Sequence, residues 1–367
     1  MMELADKQEL ADLRATVNEL CGDAGDLAPA RAMETAGVDH DPELWDMLGR
    51  QMGLACLGLP EQVGGLGGLA EIVTVSGALG ATLAPVPFWS STVLAGQILA
   101  ALDPLPVDVL TELAEGEVGA AVVADPDGRW DPDRVPVHAH ADGDGWRVTG
   151  RSHFVAGAGS AQHLVVAAQG TDGVDLFLVS PNDPAVTVLP QLSLDFTRPL
   201  ASVELSGAAT RRLSFGGAGA IAVQRGVDVA LIALAAEQAT GAQRCLDMTV
   251  SYAKLRHQFS RSIGSFQAVK HRLVDLLVQV EFAHSAVDRA LASDNDPAAF
   301  SEAAAVAAAW CADAYRDVCA ETIQLHGGIG FTWEHDAHLF FRRAHADAVL
   351  LGDGAFHRER IASLLSW

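Results

Sequence analysis

The sequence predicts an α+β protein built in three successive parts. These are an N-terminal helical domain over residues 1–112, a central antiparallel β domain over 113–216 and a C-terminal helical bundle over 217–367. Three observations carry this reading. The first part is rich in Ala, Leu and acidic residues without β-branched alternation, and Leu44-Trp45-Asp46-Met47-Leu48 sits at helical spacing. The second consists of short alternating or β-branched runs separated by Asp-Gly and Gly-rich turns. In the third, apolar residues recur every three to four positions.

In the first part, Gly/Pro-rich breaks at 59–68 (Leu-Pro-Glu-Gln-Val-Gly-Gly-Leu-Gly-Gly) and at Pro85-Val86-Pro87 read as turns between helices. In the second, the strand-like runs are 120–123, 146–148, 164–166, 176–179, 186–189 and 203–205. Gly217-Ala218-Gly219-Ala220-Ile221-Ala222 mimics a dinucleotide-binding fingerprint, but no parallel strand precedes it and helix without a strand follows, so it reads as a linker. Val269, Leu273, Leu276, Leu277, Val280, Val287 and Leu291 mark the buried face of a long helix, and the alanine-dense stretch 303–314 suits close helix packing.

Composition narrows the function. The chain has 367 residues, 50% of them hydrophobic, and 24 Lys+Arg against 47 Asp+Glu give a net charge of −23. No basic footprint for nucleic acid is present. Five scattered cysteines without a CxxC pair favour neither a disulfide framework nor a zinc site, and fit the cytoplasm. The N-terminus lacks a signal-peptide pattern. The longest apolar run, 229–236, is short of the roughly 20 residues of a bilayer span, so no membrane span is expected. His326, His335, His338, His345 and His357 crowd the C-terminus without HExxH or convergent ligand spacing, and read as structural or surface residues; no metal is expected.

Two segments stand out. Residues 251–267 join one helix end to the next helix start through Arg256, Phe259, Phe266 and Gln267. Residues 324–334 (Gln-Leu-His-Gly-Gly-Ile-Gly-Phe-Thr-Trp-Glu) end a helix in glycines whose bare backbone can approach a phosphate. With the Leu-Pro-Glu-x-x-Gly-Gly-Leu-Gly-Gly turn, these patterns resemble the acyl-CoA dehydrogenases along essentially the whole chain. The resemblance implies a C-terminal four-helix bundle, FAD shared across a subunit interface and oxidation of the Cα–Cβ bond of an acyl-CoA thioester. It further implies electron transfer to an electron-transfer flavoprotein. Carried onto this chain, Arg256 meets the FAD diphosphate, Phe259 and Gln267 line its adenosine side, and Gln324, Gly327 and Gly328 contact the same cofactor.

The chain departs from the family pattern on its own flavin side. Ala124-Asp125-Pro126-Asp127-Gly128 stands where Thr-Glu-Pro-x-x-Gly-Ser-Asp is usual, and Phe154-Val155-Ala156 where the family has aromatic-Ile-Thr. The region of the family's Tyr-Glu-Gly-Thr turn reads Leu350-Leu351-Gly352-Asp353-Gly354 here, with Gly352 in place of the catalytic Glu and Asp353 brought in as a substitute base by a one-residue slip. The other family position for the base, 26 residues before Arg256, is Ala230, followed by Leu231, and Glu237 reads as structural. The resemblance thus points to the shorter subunit of a heteromeric enzyme, lending FAD contacts to a longer catalytic paralogue. Family subunits of this kind accompany bulky acyl-CoA substrates, steroid-derived ones among them, and the resemblance carries that expectation to this chain. The alternatives are a self-sufficient homo-oligomer using Asp353, and a flavin-free acyl-CoA-binding or assembly protein.

Overall fold

The computed structural model describes residues 7–22 and 27–366. Helices α1 (Lys7–Leu20), α2 (Ala28–Ala36) and α3 (Pro42–Trp45) come first, α3 running on into a π-helical turn. Asp41 starts α3 by accepting from the amides of Glu43 and Leu44, each at 3.0 Å. After the glycine-rich break come α4 (Leu69–Thr82), a π-helical segment (Phe88–Ala95) continuing into α5 (Gly96–Ala100), and α6 (Val107–Ala114).

Seven strands follow: β1 (Gly119–Val122), β2 (Val137–Asp142), β3 (Gly145–Ala156), β4 (His163–Gly170), β5 (Gly173–Val179), β6 (Val186–Pro190) and β7 (Leu200–Arg212). Every predicted run falls on a strand, with only Val123 lying past a strand's end. β2 is absent from the predicted runs: its Val-His-Ala-His-Ala-Asp alternates, but its apolar positions after Val137 are alanines, too small to stand out, and most of the strand meets solvent. The sheet runs β1-β4-β2-β3-β7-β5, with β5 pairing back to β4 and β6 on β7, so five strands close on themselves. The pairing is mainly antiparallel, but β1 and β2 both run parallel to β4. Alternation on β4 shows how the domain is seated. Leu164, Val166 and Ala168 fill the interior between the strands, while Val165 and Ala167 join the core shared with the helices.

The C-terminal part holds α7 (Ala218–Leu255), α8 (Gln267–Ala292), α9 (Pro297–His326), α10 (Ala337–Asp347) and α11 (Gly354–Leu364). Gly217, taken for linker, is the N-cap of α7, and the residues after it are already helical. α7 contains an 18-residue window of mean hydropathy 1.5, long and apolar enough to cross a membrane, yet 72% of that window is buried inside the protein, as in a core helix. On α8, Leu276, Val280 and Val287 are buried as expected. Leu277 is not; with Val274, Val278, Phe282 and Trp310 of α9 it forms a second apolar face open to solvent.

A buried ionic cluster ties the β domain to α7 and α10. Arg343 donates to Asp195 at 2.6 Å and to Thr197 Oγ1 at 2.5 Å and lies 3.4 Å from Glu237; Arg198 pairs with Glu237 and, at 2.8 Å, with Asp347. Two guanidinium groups face three carboxylates. Burial pushes Asp347 up to about 6, against the opposing pull of Arg198 and Arg343. A carboxyl whose pKa is higher folded than unfolded loses stability as pH rises through that interval. Asp347→Asn is therefore expected to match the wild type near pH 4 and to unfold at higher urea by pH 7. His338 and His357, each held down to about 4 chiefly by burial, push the opposite way in both proteins, so the difference between variant and wild type isolates Asp347. Parallel pH profiles for the two proteins would rule it out.

Candidate functional site

The site is assembled at the ends of α7 and α9 and the start of α8. α7 stops at Leu255, and Arg256 turns into extended backbone with its amide still bonded to Tyr252 O at 2.8 Å. A two-residue ladder, β8 (His257–Gln258) with β9 (Arg261–Ser262), leaves Phe259 and Ser260 at its tip with φ of 53 and 65, and Phe259 is 87% exposed. Arg261 stacks 3.9 Å above the Phe266 ring, which precedes α8. No side chain caps α8 at Phe266, so the helix start presents open amides suited to an anion.

α9 ends at His326, one turn from the same place. The Tyr252 hydroxyl donates to His326 O at 3.2 Å, and the two rings stack with centroids 4.4 Å apart. Gly327 has φ of 65, which favours glycine, but Gly328 has no such requirement, and a Cβ on it would meet nothing within 4 Å. Neither backbone conformation nor packing within the chain accounts for the glycine at 328. All six residues singled out as cofactor contacts, Arg256, Phe259, Gln267, Gln324, Gly327 and Gly328, are exposed on this edge. In a chain of net charge −23, Lys254, Arg256, Arg261 and Lys270 have no carboxylate partner among the described residues. Four uncompensated cations and a free helix start suit a diphosphate.

The chain's own counterpart of a flavin pocket is built differently. Asp125 is buried and serves its own turn, accepting from the amides of Asp127 at 2.8 Å and Arg129 at 2.9 Å and pairing with Arg134 at 2.9 Å. A backbone bridge joins Arg129 to Leu351 and lays this loop against the 350–353 turn. Trp89 donates to Ala230 O at 2.9 Å and packs beneath Arg198, and Leu231 and Leu351 are buried beside them. The cavities lined by Trp89 with Ala156, and by Leu231 with Leu351, measure about 20 and 10 Å³. A pocket enclosing a cofactor-sized ligand needs roughly 300–1,000 Å³.

In the 350–353 turn, Gly352 has φ of 117, and a Cβ there would come within 2.4 Å of the Phe356 ring, so the turn itself requires glycine at this position. Leu351 beside it is buried and apolar, so neither residue offers a carboxylate. Asp353, the remaining candidate base, accepts from the Phe356 amide at 2.8 Å and caps α11. Asp353→Ala is expected to cost about 1 kcal/mol, and Asp353→Asn close to nothing, with no change in any assembled enzyme's turnover. Loss of turnover in the Asn variant at unchanged melting temperature would restore Asp353 as the base.

A larger open groove, about 460 Å³, runs between Trp130, the start of α7 and the α8–α9 loop. Its carboxylates are occupied: Asp228 accepts from Gln224, Ser301 and Arg360, and Asp294 pairs with Arg225, so neither is free to act as a base. Among the described residues one group of possible metal ligands comes together, Glu112, Glu117 and His163, with their ligand atoms within 4.8 Å of one another. These residues already pair directly, His163 Nε2 lying 2.8 Å from Glu117 and 3.1 Å from Glu112.

The C-terminal domain model of the acyl-CoA dehydrogenases matches residues 217–365. Acyl-CoA dehydrogenase IpdE2 of Mycolicibacterium smegmatis is 36% identical over 352 residues, covering 95% of this chain and 96% of that protein. The chain belongs to the acyl-CoA dehydrogenase family. Among solved structures, a variant of the steroid acyl-CoA dehydrogenase Tcur3481-Tcur3483 superposes with a TM-score of 0.88 at 30% identity over 98% of both chains. The ChsE4-ChsE5 complex from Mycobacterium tuberculosis gives 0.89 at 28% identity, covering 100% of this chain and 99% of the other. This acyl-CoA dehydrogenase chain therefore belongs with oxidoreductases whose general cofactor is FAD, and its departures from the family pattern lie on one side of the fold.

Proposed function

We propose that this chain is the non-catalytic subunit of a heteromeric acyl-CoA dehydrogenase. It lends Arg256, Phe259, Gln267, Gln324, Gly327 and Gly328 to an FAD seated in a longer, catalytic paralogue. The observation that carries this reading is Gly328, a glycine with open space above it on an edge whose cations have no carboxylate partner among the described residues. A glycine that neither its own backbone nor its own packing requires leaves room for a group from outside the chain to approach the backbone.

Three further features support the reading. The chain's own flavin side has cavities of about 20 and 10 Å³ where a pocket is needed. Neither Leu351 nor Gly352 offers a carboxylate to serve as the base. The apolar face of Val274, Leu277, Val278, Phe282 and Trp310 offers a surface for a partner subunit to cover. Bound FAD supplies the hydride acceptor for desaturation of the thioester. This chain's residues hold its diphosphate and adenosine ends, while the base belongs to the paralogue. Two similar structures are named for pairs of chains, one as a steroid enzyme, which supports a bulky acyl-CoA as substrate. Electrons then leave to an electron-transfer flavoprotein.

The visible spectrum decides it. The chain purified alone is expected to be colourless. Co-expressed with its longest adjacent paralogue, it is expected to be yellow with one flavin per two chains and to bleach with acyl-CoA. A chain that is yellow alone and bleaches on adding an acyl-CoA would overturn the proposal.

A further inference from the structure

α7 and α9 are joined by a ladder of side-chain contacts along one face of each helix. The first rung sets Cys245 Sγ and Cys319 Sγ 3.6 Å apart, and the second is a hydrogen bond from Thr249 Oγ1 to Thr322 Oγ1 at 3.0 Å. The third is Tyr252 with His326, stacked at 4.4 Å with planes 29° apart and bonded from hydroxyl to backbone carbonyl at 3.2 Å. Steps of four and three residues on α7, and of three and four on α9, keep each set on one face. The first two rungs are buried and serve packing alone. The third stands at the open end, four residues before Arg256 and one before Gly327.

Helix ends fray, and their last carbonyls lack partners inside the helix. Without a tie, the last turns of α7 and α9 would move independently, carrying Arg256 and the glycine segment apart. The third rung prevents this from both sides. Tyr252 is half-buried and its hydroxyl satisfies the carbonyl of the last α9 residue. His326 is buried with its ring oriented by Nδ1, which donates to Thr322 O at 2.8 Å, and His335 packs 4.4 Å from the same ring.

We infer that Tyr252 and His326 are positioning residues for the cofactor edge: their stacked rings and shared hydrogen bond hold Arg256 and the Gly327-Gly328 backbone in one preformed diphosphate-binding arrangement. The inference rests on the FAD-sharing reading above and goes beyond it by assigning a role to two residues that touch no cofactor themselves. Preorganisation of this kind raises affinity by removing an ordering cost at binding.

The test uses the assembled heteromer, stripped of flavin and titrated with FAD, with Arg256→Ala, Tyr252→Phe and Tyr252→Leu compared with wild type. Tyr252→Phe keeps the stack and loses the hydroxyl, and is expected to weaken FAD binding about three- to tenfold. Tyr252→Leu loses both and is expected to weaken it tenfold or more, while subunit affinity and melting temperature stay within error of the Phe variant. If Arg256→Ala leaves FAD binding unchanged, the FAD-sharing reading itself fails. If Arg256→Ala weakens FAD but both Tyr252 variants bind it as wild type, only the positioning role fails. Loss of assembly in proportion to loss of FAD would make Tyr252 a packing residue and also overturn the inference; should the Leu variant not fold, the Phe variant decides.

Discussion

Replacing Arg343 by alanine is expected to destabilise the chain by about 3–5 kcal/mol, the largest effect of any single substitution considered. The guanidinium is buried, and among the described residues it is the only group that bonds Asp195 and Thr197 while also reaching Glu237. Removing it leaves Asp195 without its cation and Glu237 with Arg198 alone, in a place from which water is excluded. A carboxylate stranded in this way must take up a proton or draw in solvent, and either costs far more than the surface ion pairs elsewhere on the molecule are worth. Arg343→Lys is expected to recover less than half of the loss, because an ammonium cannot reach three acceptors in the plane that the fork spans. Urea unfolding of the isolated chain measures both. A change below about 1 kcal/mol for the alanine variant would mean that the cluster is hydrated and that its carboxylates lean little on Arg343.

Arg256→Ala is expected to do the reverse, leaving the isolated chain's unfolding unchanged while weakening FAD in the heteromer roughly ten- to hundredfold. The first half follows from exposure: Arg256 has no carboxylate partner among the described residues, and its backbone bond to Tyr252 survives the substitution. The second follows from the worth of charge-assisted hydrogen bonds to a phosphate oxygen, about 1.5–3 kcal/mol. Arg256→Lys is expected to fall between, since lysine keeps the charge and loses the bidentate fork. FAD retention through gel filtration, with flavin fluorescence as the quantitative readout, gives the numbers. An alanine variant that holds FAD like the wild type would remove the diphosphate role from this edge.

Much of the architecture was legible from local pattern. Helical spacing and β-branched alternation record which face of an element is buried, and burial is what selects apolar residues at those positions. Where the pattern misled, the cause is visible. β2 escaped because its alternating apolar positions are one valine and two alanines, a weak signal beside the β-branched runs of the other strands. Leu277 reads as core because α8 is apolar on two sides, and only one of them is buried, the other staying open to solvent beside Trp310 of α9. The 350–354 turn shows what residue types alone do not carry: Gly352 stands at a φ of 117, a backbone angle that no local spacing announces.

The sequence by itself determined the family resemblance, the helix–strand–helix order and the six residues that share the exposed edge. Each is a matter of residue type at a fixed local spacing. Only the tertiary structure decided what is empty and what is full. Leu351, Trp89 and Leu231 lie far apart in the chain, and that the cavities they line measure only about 10 and 20 Å³ follows from packing between elements distant in sequence. That Arg256, Arg261, Lys254 and Lys270 have no carboxylate partner among the described residues likewise depends on where the acidic side chains end up in space. Volume and charge compensation are properties of neighbours, and neighbours here are chosen by the fold.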